Sequence, residues 1–160
     1  MASDANEQLV GYLKDAHAME QQALQMLQAV VKVAGDPQLE ALYKGHVAET
    51  QEHIRLVEER LDANGGSRSL TKDLSARMAA IGLGAGAVAQ PDTPARLIPV
   101  AYAFENFEIA SYELLKRVAQ AAGDEDTVEA AERILVNERQ AAEKLAASYD
   151  LALQAAGVVG

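Results

Sequence analysis

The chain has neither cysteine nor tryptophan among its 160 residues. Without thiols there is no disulfide frame, no thiolate nucleophile and no zinc–thiolate site. Aromatic residues amount to only 4%. Positive charge is also scarce: 14 basic against 24 acidic residues leave a formal net charge of −10. That balance argues against non-specific binding to nucleic acid or an anionic membrane, and suits a protein that attracts cations. No uninterrupted apolar run approaches the roughly 20 residues of a membrane span. The first residues, Met1 to Glu7, are polar and acidic, so no signal peptide and a cytoplasmic location are expected. What is present is a globular balance of 49% hydrophobic and 24% charged residues, dominated by the helix formers Ala, Leu, Glu and Gln. The length suits one domain over residues 1–160 with a sizeable core.

The spacing predicts an all-α chain of four long helices. The first runs from about Ser3 to Val33 with Ser3 or Asp4 as its cap, and carries the stripe Leu9, Leu13, Ala16, Glu20, Leu24, Leu27 and Val31. Ala34-Gly35-Asp36-Pro37 ends it and starts the second, expected over Pro37–Ala63. Asn64-Gly65-Gly66-Ser67 closes that helix, so the first two should pair antiparallel as a hairpin over about 3–63. A crossover over about 64–95 holds one short helix, capped by Ser69 or Thr71 and running through Leu70, Leu74, Met78 and Ile81. Its glycines, from Gly82 to Gly86, lack the GxGxxG spacing of a nucleotide loop. The second hairpin, over about 96–155, starts with a helix beginning between Thr93 and Pro99 and running to Ala122 along Leu97, Ala101, Phe104, Glu108, Leu115 and Val118. After Gly123-Asp124 the fourth helix is expected to continue from Glu125 to Ala155.

Each helix places a carboxylate on its inward stripe. On the second helix Leu42, His46, Glu49, His53 and Leu56 follow 4, 3, 4, 3 spacing, a seam that is apolar at its ends and polar in its middle. The halves repeat: Glu20 stands fourteen residues before Ala34-Gly35-Asp36, and Glu108 fourteen before Ala122-Gly123-Asp124, an offset of 88. One added loop residue brings Glu49 over Glu138. Two hairpins docked with pseudo-two-fold symmetry would gather Glu20, Glu49, Glu108 and Glu138 in one interior. Four ionised carboxylates there repel one another and resist desolvation, and two divalent or trivalent cations would neutralise them. Carboxylates with imidazole suit iron or manganese. The four-helix di-metal pattern uses a glutamate from each of two helices and Glu-x-x-His from each of the others. The chain departs from it in its histidines. His53 follows Glu49 by four, and Ala141 and Ala142 follow Glu138 by three and four.

The stretches Tyr12-Leu-Lys-Asp15-x4-Glu20, His46-x-x-Glu49-Thr50, Glu105-x-Phe107-Glu108-Ile-Ala-x-Tyr112 and Leu135-x-x-Glu138 resemble the ferritin-like YciE/YciF family over about residues 8–152. The resemblance implies a ferritin-like antiparallel four-helix bundle with extra short helices, a homodimer, a di-metal centre and a link to stress response. The rubrerythrin branch of the wider superfamily has a similar Glu-x-x-Glu on its third helix, which supports Glu105 as a further ligand. The family usually has an acidic residue where Ala142 stands and a histidine where Asn106 stands.

The expected function is therefore binding of two iron or manganese ions. Glu49 and Glu138 would bridge or clamp, Glu20 and Glu108 would hold one ion each, and His53 and Glu105 would complete the shells. If the protein is an enzyme, its chemistry would be Fe(II) oxidation or reduction of O2 or peroxide. His46 is either a ligand or a support for Glu49. Glu52 falls outside the seam, and His17 is expected on the surface. Tyr12, Tyr43, Tyr102 and Tyr112 are expected to pack, each with one hydroxyl bond, the alternative being that they line the bundle near the site and serve in electron transfer. The competing expectation is a non-enzymatic helical dimer whose acidic centre binds metal weakly or never, a reading that Ala141 and Ala142 favour. The terminal fifth helix of storage ferritins is not expected, nor a 24-subunit cage.

Overall fold

The computed structural model describes residues 2–67 and 93–160. Among these, all regular structure is helical: α1 (Ala2–Val31), α2 (Pro37–Ala63), α3 (Thr93–Ala122), α4 (Glu125–Ala146) and α5 (Tyr149–Ala155). The expected short crossover helix, the Gly82–Gly86 run and most of the turn leading to Pro94 lie outside the described residues. Among the described residues no helix is long and apolar enough to cross a membrane.

The same device makes both hairpins. Gly35 (φ 72°) and Gly123 (φ 74°) take left-handed backbone that residues with a Cβ rarely adopt, and each is followed by an aspartate. Asp36 accepts from the Gln38 and Leu39 amides at 2.7 and 3.2 Å, with Pro37 in the first turn, where its missing donor costs nothing. Asp124 accepts from the Thr127 amide at 3.1 Å and binds Arg60 and Asn64 of α2 at 3.0 and 2.8 Å. The cap of α4 thus ties the second hairpin to the end of the first. Within the bundle α1 packs on α2, α3 on α4, and α1 on α3.

Three expectations are corrected. The inward line of α2 is Leu39, Tyr43, His46, Thr50, His53, Val57 and Leu61. The helix is rotated so that Thr50 is buried and Glu49 lies beside the seam. On α1, Met19, Ala23 and Val30 are buried, while Leu24 and Val31 are partly exposed. The last helix is broken. The Ser148 hydroxyl donates to the Lys144 carbonyl at 2.6 Å and its amide to Leu145 at 3.0 Å, and the chain restarts as the seven-residue α5. The bend seats Ala152 among Val30, Ala34 and Leu97. A Cβ placed on Gly35 would stand 3.5 Å from the Ala155 carbonyl oxygen. α5 therefore closes the bundle over the α1–α2 turn.

The core has two apolar parts. One gathers Leu9, Leu13, Met19, Leu61, Phe104, Leu115 and Ile134; the other gathers Leu27, Leu39, Tyr43, Ile98, Ala101 and Leu145. The inward glutamates and histidines sit at the depth between them.

Candidate metal centre

Each long helix delivers its polar residues to that depth. Glu20 comes from α1, His46 and His53 from α2, Glu105 and Glu108 from α3, and Glu138 from α4. The glutamates and His53 are at most 1% exposed, and His46 is 5% exposed. Groups so strongly hydrated remain buried only if something replaces their water.

Donor atoms of these residues meet in two groups. His46, Glu105, Glu108 and Glu138 form one, and Glu20, His53 and Glu138 form the other; within each, one atom per residue lies within 4.8 Å of the rest. Glu138 belongs to both, with one oxygen 3.6 Å from His46 Nε2 and the other 2.8 Å from His53 Nδ1. His46 Nε2 is 3.0 Å from Glu105 Oε2, and His53 Nδ1 is 3.4 Å from Glu20 Oε1. These are contact distances, yet neither nitrogen forms an aligned hydrogen bond there. His46 Nε2, His53 Nδ1, both Glu108 oxygens and both Glu138 oxygens are buried without a hydrogen-bond partner among the described residues. Ligands about 2.1 Å from one ion stand roughly 3.0–3.4 Å apart with their lone pairs turned inward, not toward each other. The arrangement fits two cations that share Glu138, and two imidazoles among carboxylates suit iron or manganese.

A second layer of residues orients the donors. Glu49, expected from its spacing to bridge, is half-buried and outside both groups; its Oε2 meets His46 Nδ1 at 3.0 Å. Its place is behind His46, turning Nε2 inward, the arrangement common behind metal-binding imidazoles. Tyr112 donates to Glu20 Oε1 at 2.5 Å. Asn137 lies 3.1 Å from His53 Nε2 through its side-chain amide. The facing atom is the amide nitrogen Nδ2; were Nδ1 to ligate a cation, Nε2 would carry the proton and the amide would turn its oxygen to accept it. Glu52 lies on the outer face, bound to Arg55 and Arg133 at 2.8 and 3.1 Å. His17, expected on the surface, is 5% exposed and meets Glu58 at 3.0 Å, away from the centre. Tyr43 and Tyr112 are buried, whereas Tyr12 and Tyr102 are exposed.

The rotation of α2 changes the repeat. Thr50 is 88 residues before Glu138, and His53 is 88 before Ala141, the same offset that relates Glu20 to Glu108. Glu-x-x-His spacing is thus occupied by Thr50-x-x-His53 on α2 and by Glu138-x-x-Ala141 on α4, each lacking one member. His46 and Glu105 bring a donor to the same depth from new positions.

Without a cation the cluster holds protons. Burial raises Glu20, Glu105 (to about 8) and Glu108 above the ordinary carboxyl value of 4.5. For His46 burial opposes protonation, but Glu105 and Glu49 outweigh it and raise the imidazole to about 10. For His53 burial is likewise outweighed, by Glu138 and Glu20, to about 9. Each folded value lies above its unfolded one, so the stability these groups contribute is fully present below the unfolded value and is lost as pH rises through the folded one. Glu138 shifts down, with burial outweighed by His53 and Glu105, and its window lies below 4.5. A chelated sample should therefore melt at progressively lower temperature as pH rises from about 5 to about 9. A bound cation should reverse the trend, because its ligands must be deprotonated. Calorimetry across that range, with chelator and with metal, checks both signs. A melting temperature that climbs toward pH 9 in chelator would contradict them.

The bundle of two helical hairpins has the ferritin-like fold. The chain belongs to the family described as a domain of unknown function, DUF892, whose pattern matches residues 4–156. A protein from Xanthomonas campestris pv. campestris is similar at 30% identity and a TM-score of 0.80, over 96% of this chain and 95% of its own. The E. coli stress protein YciF is similar at 21% identity and a TM-score of 0.79, over 96% and 97%. A ferritin-like, diiron-carboxylate protein from Bacillus anthracis str. Ames shares the fold at 17% identity and a TM-score of 0.74, over 91% and 97%. The resemblance to the YciE/YciF family read from the sequence holds.

Proposed function

We propose that this protein binds two iron or manganese ions in the bundle interior. One would be held by His46, Glu105, Glu108 and Glu138, the other by Glu20, His53 and Glu138. The observation that carries the reading is the convergence of buried donor atoms that stand about one ligand–ligand distance apart without hydrogen-bonding each other. When bound, such a pair supplies electrons for reducing O2 or peroxide, or accepts Fe(II) for oxidation. The chain's residues then have separate tasks. Glu138 spans the two positions, Glu49 and Asn137 fix the imidazoles, Tyr112 fixes Glu20, and the apolar parts above and below exclude water. The likeness to YciF supports a place for this chemistry in stress response, and the diiron name of the Bacillus protein supports iron as the first ion to try.

Reconstitution tests the reading. Metal-free protein equilibrated anaerobically with Fe(II) or Mn(II), then desalted, should retain about two ions per chain. Retention below about 0.2 of either ion would sink it. If metal is retained but neither O2 nor peroxide is consumed by the Fe(II) form, the redox chemistry fails and the binding stands.

A further inference from the structure

One pair of charges stands between solvent and the His46 side of the centre. His46 is the least buried donor, at 5% exposed against at most 1% for the others. A narrow cleft leads to it past Glu49 on α2 and Lys144 on α4. The free space there, about 10 Å³, admits about one water, so a hydrated ion does not fit but a largely dehydrated one does. Glu49 divides its two oxygens. Oε2 meets His46 Nδ1 at 3.0 Å, and Oε1 faces the Lys144 ammonium at 4.0 Å. The Lys144 contact is loose, because both side chains reach solvent, and exposed pairs of this length hold weakly. Elsewhere α2 is tied more closely to the second hairpin, by Arg133 to Glu52 at 3.1 Å and by Arg60 to Asp124 at 3.0 Å. A positive charge at the mouth of a cation-binding interior opposes entry, yet it sits in a chain of net charge −10. It also sits on a carboxylate that touches His46 from outside.

We propose that Glu49 Oε1 is a transit site for a divalent cation on its way to His46, and that the Lys144 ammonium occupies this site in the metal-free chain. The inference rests on the metal-binding reading above and adds to it where ions enter and which residue sets their rate. An ammonium satisfies the outer oxygen without reaching the centre. A dication is attracted to the same oxygen about twice as strongly, so it displaces the loose pair. The lysine stem is flexible and its head is strongly hydrated, so Lys144 withdraws into water as the ion arrives. Oε2 keeps its bond to His46 during the exchange, and Nε2 stays turned inward to receive the ion. Lys144 is thus a tethered competitor that slows entry and exit alike.

The test follows Co(II) entering the full metal-free chain, read by stopped-flow visible absorption, and Co(II) leaving it into excess chelator. Lys144→Gln should speed uptake and release about tenfold each, with Co(II) affinity within about threefold of wild type. Lys144→Arg keeps the charge and should keep the wild-type rates. Lys116→Gln removes the same charge from the α3–α4 surface and should change uptake less than about twofold. Glu49→Gln retains an oxygen for His46 but loses the charge, so uptake should slow about tenfold. In that background Lys144→Gln should add less than about twofold, because Lys144 acts through Glu49. Retained Co(II) with equal uptake rates in wild-type and Lys144→Gln proteins would overturn the transit site and leave the metal reading intact. So would an equal gain in Lys116→Gln, or the full tenfold gain in the Glu49→Gln background. Wild-type protein that retains no Co(II) would overturn both readings, so the two failures are distinguishable.

Discussion

Glu138→Gln should cost both ions at once, whereas Glu20→Gln should leave one. Glu138 is the single residue common to the two donor groups, with its two oxygens facing different imidazoles, 3.6 Å from His46 and 2.8 Å from His53. Glutamine keeps the length and volume of the side chain, so the apolar surroundings of α4 stay filled. It removes the negative charge and replaces one acceptor oxygen with a donor that cannot ligate a cation. Loss of an outer-layer partner typically lowers metal affinity by about 10–100-fold, and removing a shared ligand should exceed that at both positions. Glu20→Gln touches only the group with His53, so one ion per chain should remain. Glu52→Gln is the control, because Glu52 is bound to Arg55 and Arg133 on the outer face. Metal analysis after desalting reads the stoichiometry, and far-ultraviolet circular dichroism confirms the helices. Two ions retained in the Glu138→Gln protein would remove the shared carboxylate from the account.

The bundle was legible in the sequence because its signals are redundant. Apolar stripes, a Gly-Asp pair at each hairpin turn and the 88-residue offset all require the same two hairpins. The burial of Glu20, Glu108 and Glu138 followed from stripe position, and the structure brings them together with His53 and Glu105. Glu49 was misplaced for a physical reason. A helix passing 46 and 53 on its inner face can turn inward at either 49 or 50, since adjacent residues differ by about 100° around the axis. A carboxylate at 49 fits the missing ligand only with one added loop residue, which sets it opposite Glu138 at an offset of 89. A uniform offset of 88, already present in Glu20–Glu108 and Gly35–Gly123, would instead have set Thr50 opposite Glu138. It would also have left His46 and Glu49 as neighbours free to hold each other. The break at Ser148 carries a weaker signal. A serine late in a helix is compatible with continuation, and the burial of Ala152 over the α1–α2 turn is a tertiary event that spacing along α4 does not contain.

Glu108→Met should change stability with opposite signs in the absence and presence of metal. Glu108 is fully buried and neither of its oxygens has a hydrogen-bond partner among the described residues. Burial, followed by the neighbouring Glu138, Glu20 and Glu105, holds its carboxyl well above the ordinary range. In the metal-free protein the side chain is therefore either a neutral acid with unpaired oxygens or a buried charge, and both are unfavourable. Methionine fills nearly the same volume with nothing to satisfy, so the metal-free variant should gain about 1–3 kcal/mol. At 2–4 °C per kcal/mol for a chain of this size, that is a rise of roughly 2–12 °C in melting temperature. With metal at a thousand times its dissociation constant, wild-type protein gains about 4.1 kcal/mol per site. The variant forfeits that gain at the position Glu108 serves, so the order of the two melting temperatures should reverse. Calorimetry of both proteins, in chelator and in excess Mn(II), supplies the four values. A variant less stable than wild type in chelator would mean that Glu108 is satisfied in the folded protein without any ion, and the reason for placing a cation beside it would be gone.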